Sequence, residues 1–220
     1  MSTVRRTLET DMKELQEMVL AMGSKVKESL RLSVKALKER DRELMNWVIK
    51  NDDVIDELAR SIDQKAVATI ATQQPMAGDL RILVGIIRTI TDLERIGDLS
   101  ESVAKQGLKI VDQPLLKPLI DIPRMVEIID AMLEDGLQAF MLRDANRAEK
   151  MCLRDDEIDG LRDQVQRELL TYMIEDPKTI PRATALLVIS LFLERAGDHA
   201  TNIGEHVIYM VTGEVKDLNI

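Results

Sequence analysis

Apolar residues recur along this chain at three- and four-residue steps, in long runs parted by short polar breaks. Leu15, Met18, Val19, Met22, Val26, Leu30, Val34 and Leu37 form the first run and predict a helix over about Thr7–Glu39. Arg40-Asp41 interrupts it, with Asp41 placed to cap the next helix. The second helix carries Leu44, Val48, Ile55, Leu58, Ile62 and Ala66 and ends at Gln73-Gln74-Pro75. A third spans about Met76–Asp112, with a stripe through Leu80, Leu83, Ile87 and Ile90. Pro114, Pro118 and Pro123 then mark the main internal boundary. Three more helices follow, over about Pro123–Leu142, Asp144–Ile174 and Thr179–Thr212, with the Pro177–Pro181 stretch breaking the last two apart and Gly213 as a stop. The longer helices measure roughly 45–55 Å at the standard rise. No useful β-type alternation occurs, and short breaks imply antiparallel neighbours.

The two halves align. A shift of 103 carries Arg40-Asp41 onto Arg143-Asp144, and Asp52-Asp53-Val54-Ile55-Asp56 onto Asp155-Asp156-Glu157-Ile158-Asp159. In the third helix of each half the shift is 100, carrying Leu93-Glu94-Arg95-Ile96-Gly97-Asp98 onto Leu193-Glu194-Arg195-Ala196-Gly197-Asp198. The reading is an all-α chain of two tandem antiparallel three-helix bundles, residues 1–113 and 114–220, arising from an internal duplication.

The repeated acids lie on or beside the apolar stripes. Glu94 falls four residues after Ile90, Glu194 three after Leu191, and Asp52 and Asp155 continue the runs through Ile55 and Ile158. Helical geometry turns them towards the bundle interior or its seam. Glu94/Asp98 and Glu194/Asp198 are also like-charged pairs four residues apart, which destabilise a bare helix. Two remedies are open: a neighbouring arginine (Arg95, Arg195), or a metal ion of the hard or borderline kind such as magnesium, manganese, calcium or iron. Asn202, four residues after Asp198, can add a carbonyl ligand, and His206 follows on the same face. Ser102 is the first-half counterpart of Asn202, so the second site reads as the more complete. Gly97 and Gly197 inside these helices allow a close approach by a neighbour or ligand.

Composition narrows the function. A net charge of -9 and only 2% aromatic residues argue against a nucleic-acid partner. The single cysteine, Cys152, reads as a small core residue and fits a reducing, cytoplasmic setting. Met1–Arg6 shows no signal-peptide pattern, and the run Ala183–Leu193 is too short to span a bilayer, so a membrane is met only through a partner. Neither histidine has a glutamate three residues before it, which speaks against a ferritin-like di-iron site.

Paired Leu-Glu-Arg-x-Gly-Asp motifs in two three-helix repeats, with Gln73-Gln74-Pro75, Asp79-Leu80-Arg81 and Asn202-Ile203, resemble the PhoU family over nearly the whole chain. The resemblance implies two three-helix bundles related by a pseudo-twofold axis, and E/D-x-x-x-D motifs that bind metal ions such as iron, manganese, magnesium or zinc. Carried over by motif, Asp52, Asp56, Glu94 and Asp98 form one site. Asp155, Asp159, Glu194 and Asp198 form the other, joined by Asn202. It further implies a non-catalytic, often homodimeric adaptor. Such an adaptor links the ATPase of a phosphate ABC transporter to a membrane sensor histidine kinase and represses phosphate-starvation genes. The competing readings are a carboxylate-bridged metalloenzyme, such as a phosphohydrolase, and a purely structural bundle.

Overall fold

The computed structural model describes the backbone of residues 3–218 and the side chains of residues 7–218; Met1, Ser2, Asn219 and Ile220, and the side chains up to Arg6, lie outside the described residues. The elements are α1 (Thr3–Glu39), α2 (Arg42–Gln73), α3 (Ala77–Leu108), α4 (Asp121–Leu142), α5 (Ala145–Cys152), α6 (Asp155–Glu175), a single 3-10 turn (Pro177–Thr179) and α7 (Ile180–Thr212). Helices α1, α2 and α3 pack on one another as one antiparallel bundle, and α4, α5, α6 and α7 as a second related to it by a pseudo-twofold axis. The bundles meet chiefly along α3 and α7, with α1 against α4 alongside.

The helix junctions follow from the sequence. Arg40 and Arg143, 103 residues apart, both adopt left-handed backbone (φ 55° and 54°) at the helix ends. The following Asp41 and Asp144 donate their N–H groups back to Ala36 O (2.9 Å) and Ala139 O (3.0 Å), closing the preceding helices. The same aspartates then cap the next helices: Asp41 Oδ1 accepts from Leu44 N at 2.9 Å, and Asp144 Oδ1 from Arg147 N at 3.0 Å. One residue pair thus ends one helix and starts the next in each half.

The first predicted stripe is the core of its bundle. Leu15, Val19, Met22, Val26 and Leu30 are wholly buried, each such side chain contributing about 1.5–3 kcal/mol. Two details differ from the sequence reading. On α3 the buried positions are Ile82, Leu83, Ile86, Ile90, Leu93 and Ile96, while Leu80 is exposed. This helix packs on α1, α2 and α7, so its apolar surface is wider and rotated from a single stripe. The fifth helix is jointed rather than continuous. At Leu153-Arg154 the hydrogen bonds tighten to Arg154 N–Met151 O (3.1 Å) and Glu157 N–Arg154 O (3.1 Å), three residues apart. Arg154 is held there by Asp135 of α4 (Nη2–Oδ2 2.8 Å), and α5 and α6 together take the place that α2 has in the first half.

Candidate metal centre

Helices α2 and α3 bring Asp52, Asp56, Glu94 and Asp98 to one seam. Asp52 is the innermost, only 9% exposed, because it sits on the core stripe between Val48 and Ile55. Single oxygens of Asp52, Asp56 and Asp98 lie within 4.8 Å of one another, the one such group of three or more ligand-type side chains among the described residues. Asp52 Oδ1 and Asp56 Oδ1 are buried with no hydrogen-bond partner. Burial, followed by the charges of Asp98, Glu101 and Asp56, pushes the Asp52 carboxyl up to about 7. Burial also raises Glu94. Arg95 supplies part of the expected relief, its Nη1 donating to Asp98 Oδ2 at 3.0 Å on the exposed side.

Gly97 makes the approach possible. A Cβ there would stand 3.1 Å from both Asp52 Oδ1 and Ile55 Cγ2, so a larger residue would press the carboxylate off its place. An open groove of about 300 Å3 runs beside the acids, with Asp56, Arg60, Asp63, Ile90, Thr91 and Glu94 in its walls.

The second half repeats the frame with different surroundings. Asp155 and Asp159 of α6 face Glu194 and Asp198 of α7, and burial with the charges of Asp198, Asp159, Asp156 and Glu194 pushes Asp155 up to about 7. Gly197 lies even closer than its counterpart, with a Cβ only 2.8 Å from Asp155 Oδ1. Yet Asp155 is only half-buried and Asp159 exposed. Arg162 lies beside Glu194, its Nη2 3.6 Å from Glu194 Oε1.

Hard carboxylate oxygens, two of them buried without a donor, are the set a small oxygen-seeking cation satisfies, and the first-half residues fit one.

A model of the PhoU domain matches the chain twice, over residues 19–107 and 122–207. The chain belongs to the PhoU family. The first PhoU match falls within α1–α3 and the second within α4–α7. The chain is 39% identical to the phosphate-specific transport system accessory protein PhoU homolog of Aquifex aeolicus, covering 93% of each. It is 35% identical to the homolog of the same name in Clostridium acetobutylicum, covering 98% of this chain and 99% of that one. Two solved structures superpose with a TM-score of 0.89 each. PhoU from Pseudomonas aeruginosa is 34% identical, over 94% of this chain and 99% of that one. The phosphate transport system regulatory protein PhoU from Streptococcus pneumoniae is 30% identical, over 96% and 99%.

Some of the polar residues that matter in this PhoU chain escape a reading by motif. Glu101 is one: three residues after Asp98 and seven after Glu94, it shares their face, and its charge is felt at Asp52. The other is a network at the seam between the bundles. Asp92 of α3, 7% exposed, accepts Asn202 Nδ2 at 3.0 Å and also meets His199 Nδ1 at 2.8 Å and His206 Nε2 at 2.7 Å, all three from α7. Burial works to raise Asp92, but these contacts outweigh it and hold the carboxyl down at about 2. Asn202, which its spacing assigns to the second acidic site, thus commits its amide nitrogen to Asp92. The first half, not the second, holds the converging carboxylates. Cys152 is buried as expected, donates to Ala148 O at 3.2 Å and has its thiol pushed up to about 12 by burial, so it is unreactive.

Proposed function

We propose that this chain is a metal-binding regulatory adaptor of phosphate uptake and signalling, not an enzyme. The observation that carries the reading is the pair of buried, partnerless carboxylate oxygens on Asp52 and Asp56, gathered with Asp98 on a rigid helical frame. Asp52, Asp56, Glu94 and Asp98 hold the first ion or cluster; Asp155, Asp159, Glu194 and Asp198, with Asn202 beside them, are the corresponding set of the second half. Bound metal neutralises the crowded acids and locks α2 to α3, fixing the long lateral faces on which partners dock. The relatives named as phosphate-specific transport system accessory proteins support a place beside a phosphate transport system; as the partners we assign the transporter ATPase and a membrane sensor histidine kinase. No helix among the described residues is long and apolar enough to cross a membrane, consistent with contact through partners from the cytoplasmic side. We further assign a homodimer and a tandem-repeat origin to the chain.

The test is co-purification with the transporter ATPase and the sensor kinase at high and low phosphate, alongside elemental analysis. Association that depends on phosphate and on Asp52 supports the adaptor; no association in either condition removes it. A phosphohydrolase reading draws on the groove beside Asp56 and Glu94. Turnover of phosphate esters that disappears in Asp98→Ala would favour it.

A further inference from the structure

We infer that the two acidic sites are not equivalent: Arg162 serves as the resident cation of the second, and metal binds at the first alone. This rests on the metal-binding reading above and divides it between the halves.

The pseudo-twofold frame makes the comparison residue by residue. The shift of 103 that carries Asp52 and Asp56 onto Asp155 and Asp159 carries Ala59 onto Arg162. A methyl group in the first half is therefore a guanidinium in the second, one turn along the helix from the acids. Arg162 places Nη2 3.6 Å from Glu194 Oε1 while its Nη1 meets Asp163 Oδ1 at 2.8 Å, so the side chain is anchored across the mouth of the site. A divalent ion entering there meets a fixed positive charge a few ångströms away, which opposes its binding.

Three independent differences point the same way. Asp52 and Asp56 each carry a buried oxygen without a hydrogen-bond partner, whereas no acid of the second set does. The first set has a fifth acid, Glu101, where the second has Thr201. The grooves beside the two sites also differ. In the first half the groove has three acids, Asp56, Asp63 and Glu94, and one cation, Arg60, in its walls. In the second the matching groove, about 260 Å3, is lined by Leu170, Leu187, Leu191, Gln166 and Arg162. A cation meets a wall of net negative charge in one half, and a largely apolar wall whose charged side chain is Arg162 in the other.

The test is calorimetric titration of the metal-stripped full chain with manganese, with bound metal counted by elemental analysis. The wild-type chain is expected to show one class of tight binding. Asp52→Asn with Asp98→Asn should weaken it at least tenfold; Asp159→Asn with Glu194→Gln should leave it unchanged. Arg162→Ala should create a second class of binding that Asp159→Asn removes. The reciprocal change, Ala59→Arg, moves the cation to the half-buried matching position at the groove of the first half and should abolish tight binding, with circular dichroism checking that helical content is kept. Equal binding at both sites in the wild type, or Arg162→Ala with no gain, overturns the inference while leaving metal binding itself intact. No manganese, iron or magnesium binding in any variant overturns both.

Discussion

His206 Nε2 of α7 lies 2.7 Å from Asp92 Oδ2 of α3, so a histidine of the second bundle and a carboxylate of the first share one buried contact. His199 and Asn202 reach the same carboxylate from the same helix. Asp92→Ala leaves three polar side chains at the seam without their acceptor. We expect a loss of about 3 kcal/mol, or roughly 6–12 °C in melting temperature for a chain of this size. A loss below 1 kcal/mol in thermal or denaturant unfolding would show that the seam is held by its apolar contacts alone.

Acidity should act on the metal-free chain in two opposite senses. Asp52 and Asp155 each keep a proton up to about 7 in the folded state, against an ordinary value of 3.8. Their contribution is complete below 3.8 and is lost as pH rises through 7. Asp92, held at about 2, contributes above 3.8 and loses that contribution as pH falls towards 2. The melting temperature of the chelated chain should therefore fall by a few degrees between about pH 5 and pH 8. Scanning calorimetry across that range decides it; a rise with pH would mean that these carboxyls ionise freely.

Metal should reverse that trend, because it binds the deprotonated acids and displaces their protons. At a hundredfold excess over the dissociation constant it adds about 2.7 kcal/mol, or roughly 5–11 °C. The gain should be larger at pH 8 than at pH 5 and vanish with chelator. A melting temperature indifferent to manganese, iron and magnesium would count against the site.

Gly97→Ala gives a sharper probe of the site than a ligand deletion. The added methyl group arrives 3.1 Å from both Asp52 Oδ1 and Ile55 Cγ2, so these neighbours must give by a few tenths of an ångström. Alanine meanwhile favours the helix by up to about 1 kcal/mol. The expected result is metal affinity reduced about tenfold with the metal-free melting temperature nearly unchanged. Unaltered affinity would place the ion away from Asp52.

Most of the architecture can be read along the chain because the information is local. Asp41 and Asp144 cap what they precede, Pro75, Pro114 and Pro177 follow the ends of α2, α3 and α6, and the duplicated acids mark where the two acidic clusters fall. What could not be read depends on neighbours far away in sequence. The rotated apolar face of α3 comes from packing on three helices at once. The joint after Cys152 has no glycine or proline to announce it; Arg154 is drawn to Asp135 of another helix. The spacing of Asn202 from Asp198 suggested a shared site, but Asp92, 110 residues away, takes its amide. Glu101 was within reach of the same periodic argument that found Glu94 and Asp98, one step further along the stripe.

That joint gives the halves unequal stiffness. Helix α2 runs for 32 residues without interruption, while its counterpart is split into segments of 8 and 21. The short segment cannot sustain itself as an isolated helix and depends on its contacts with α4 and α7. Amide hydrogens of residues 145–157 should thus exchange with solvent sooner than those of 42–54. The uninterrupted helix and the jointed one thus give two similar bundles different local unfolding costs, lower in the second.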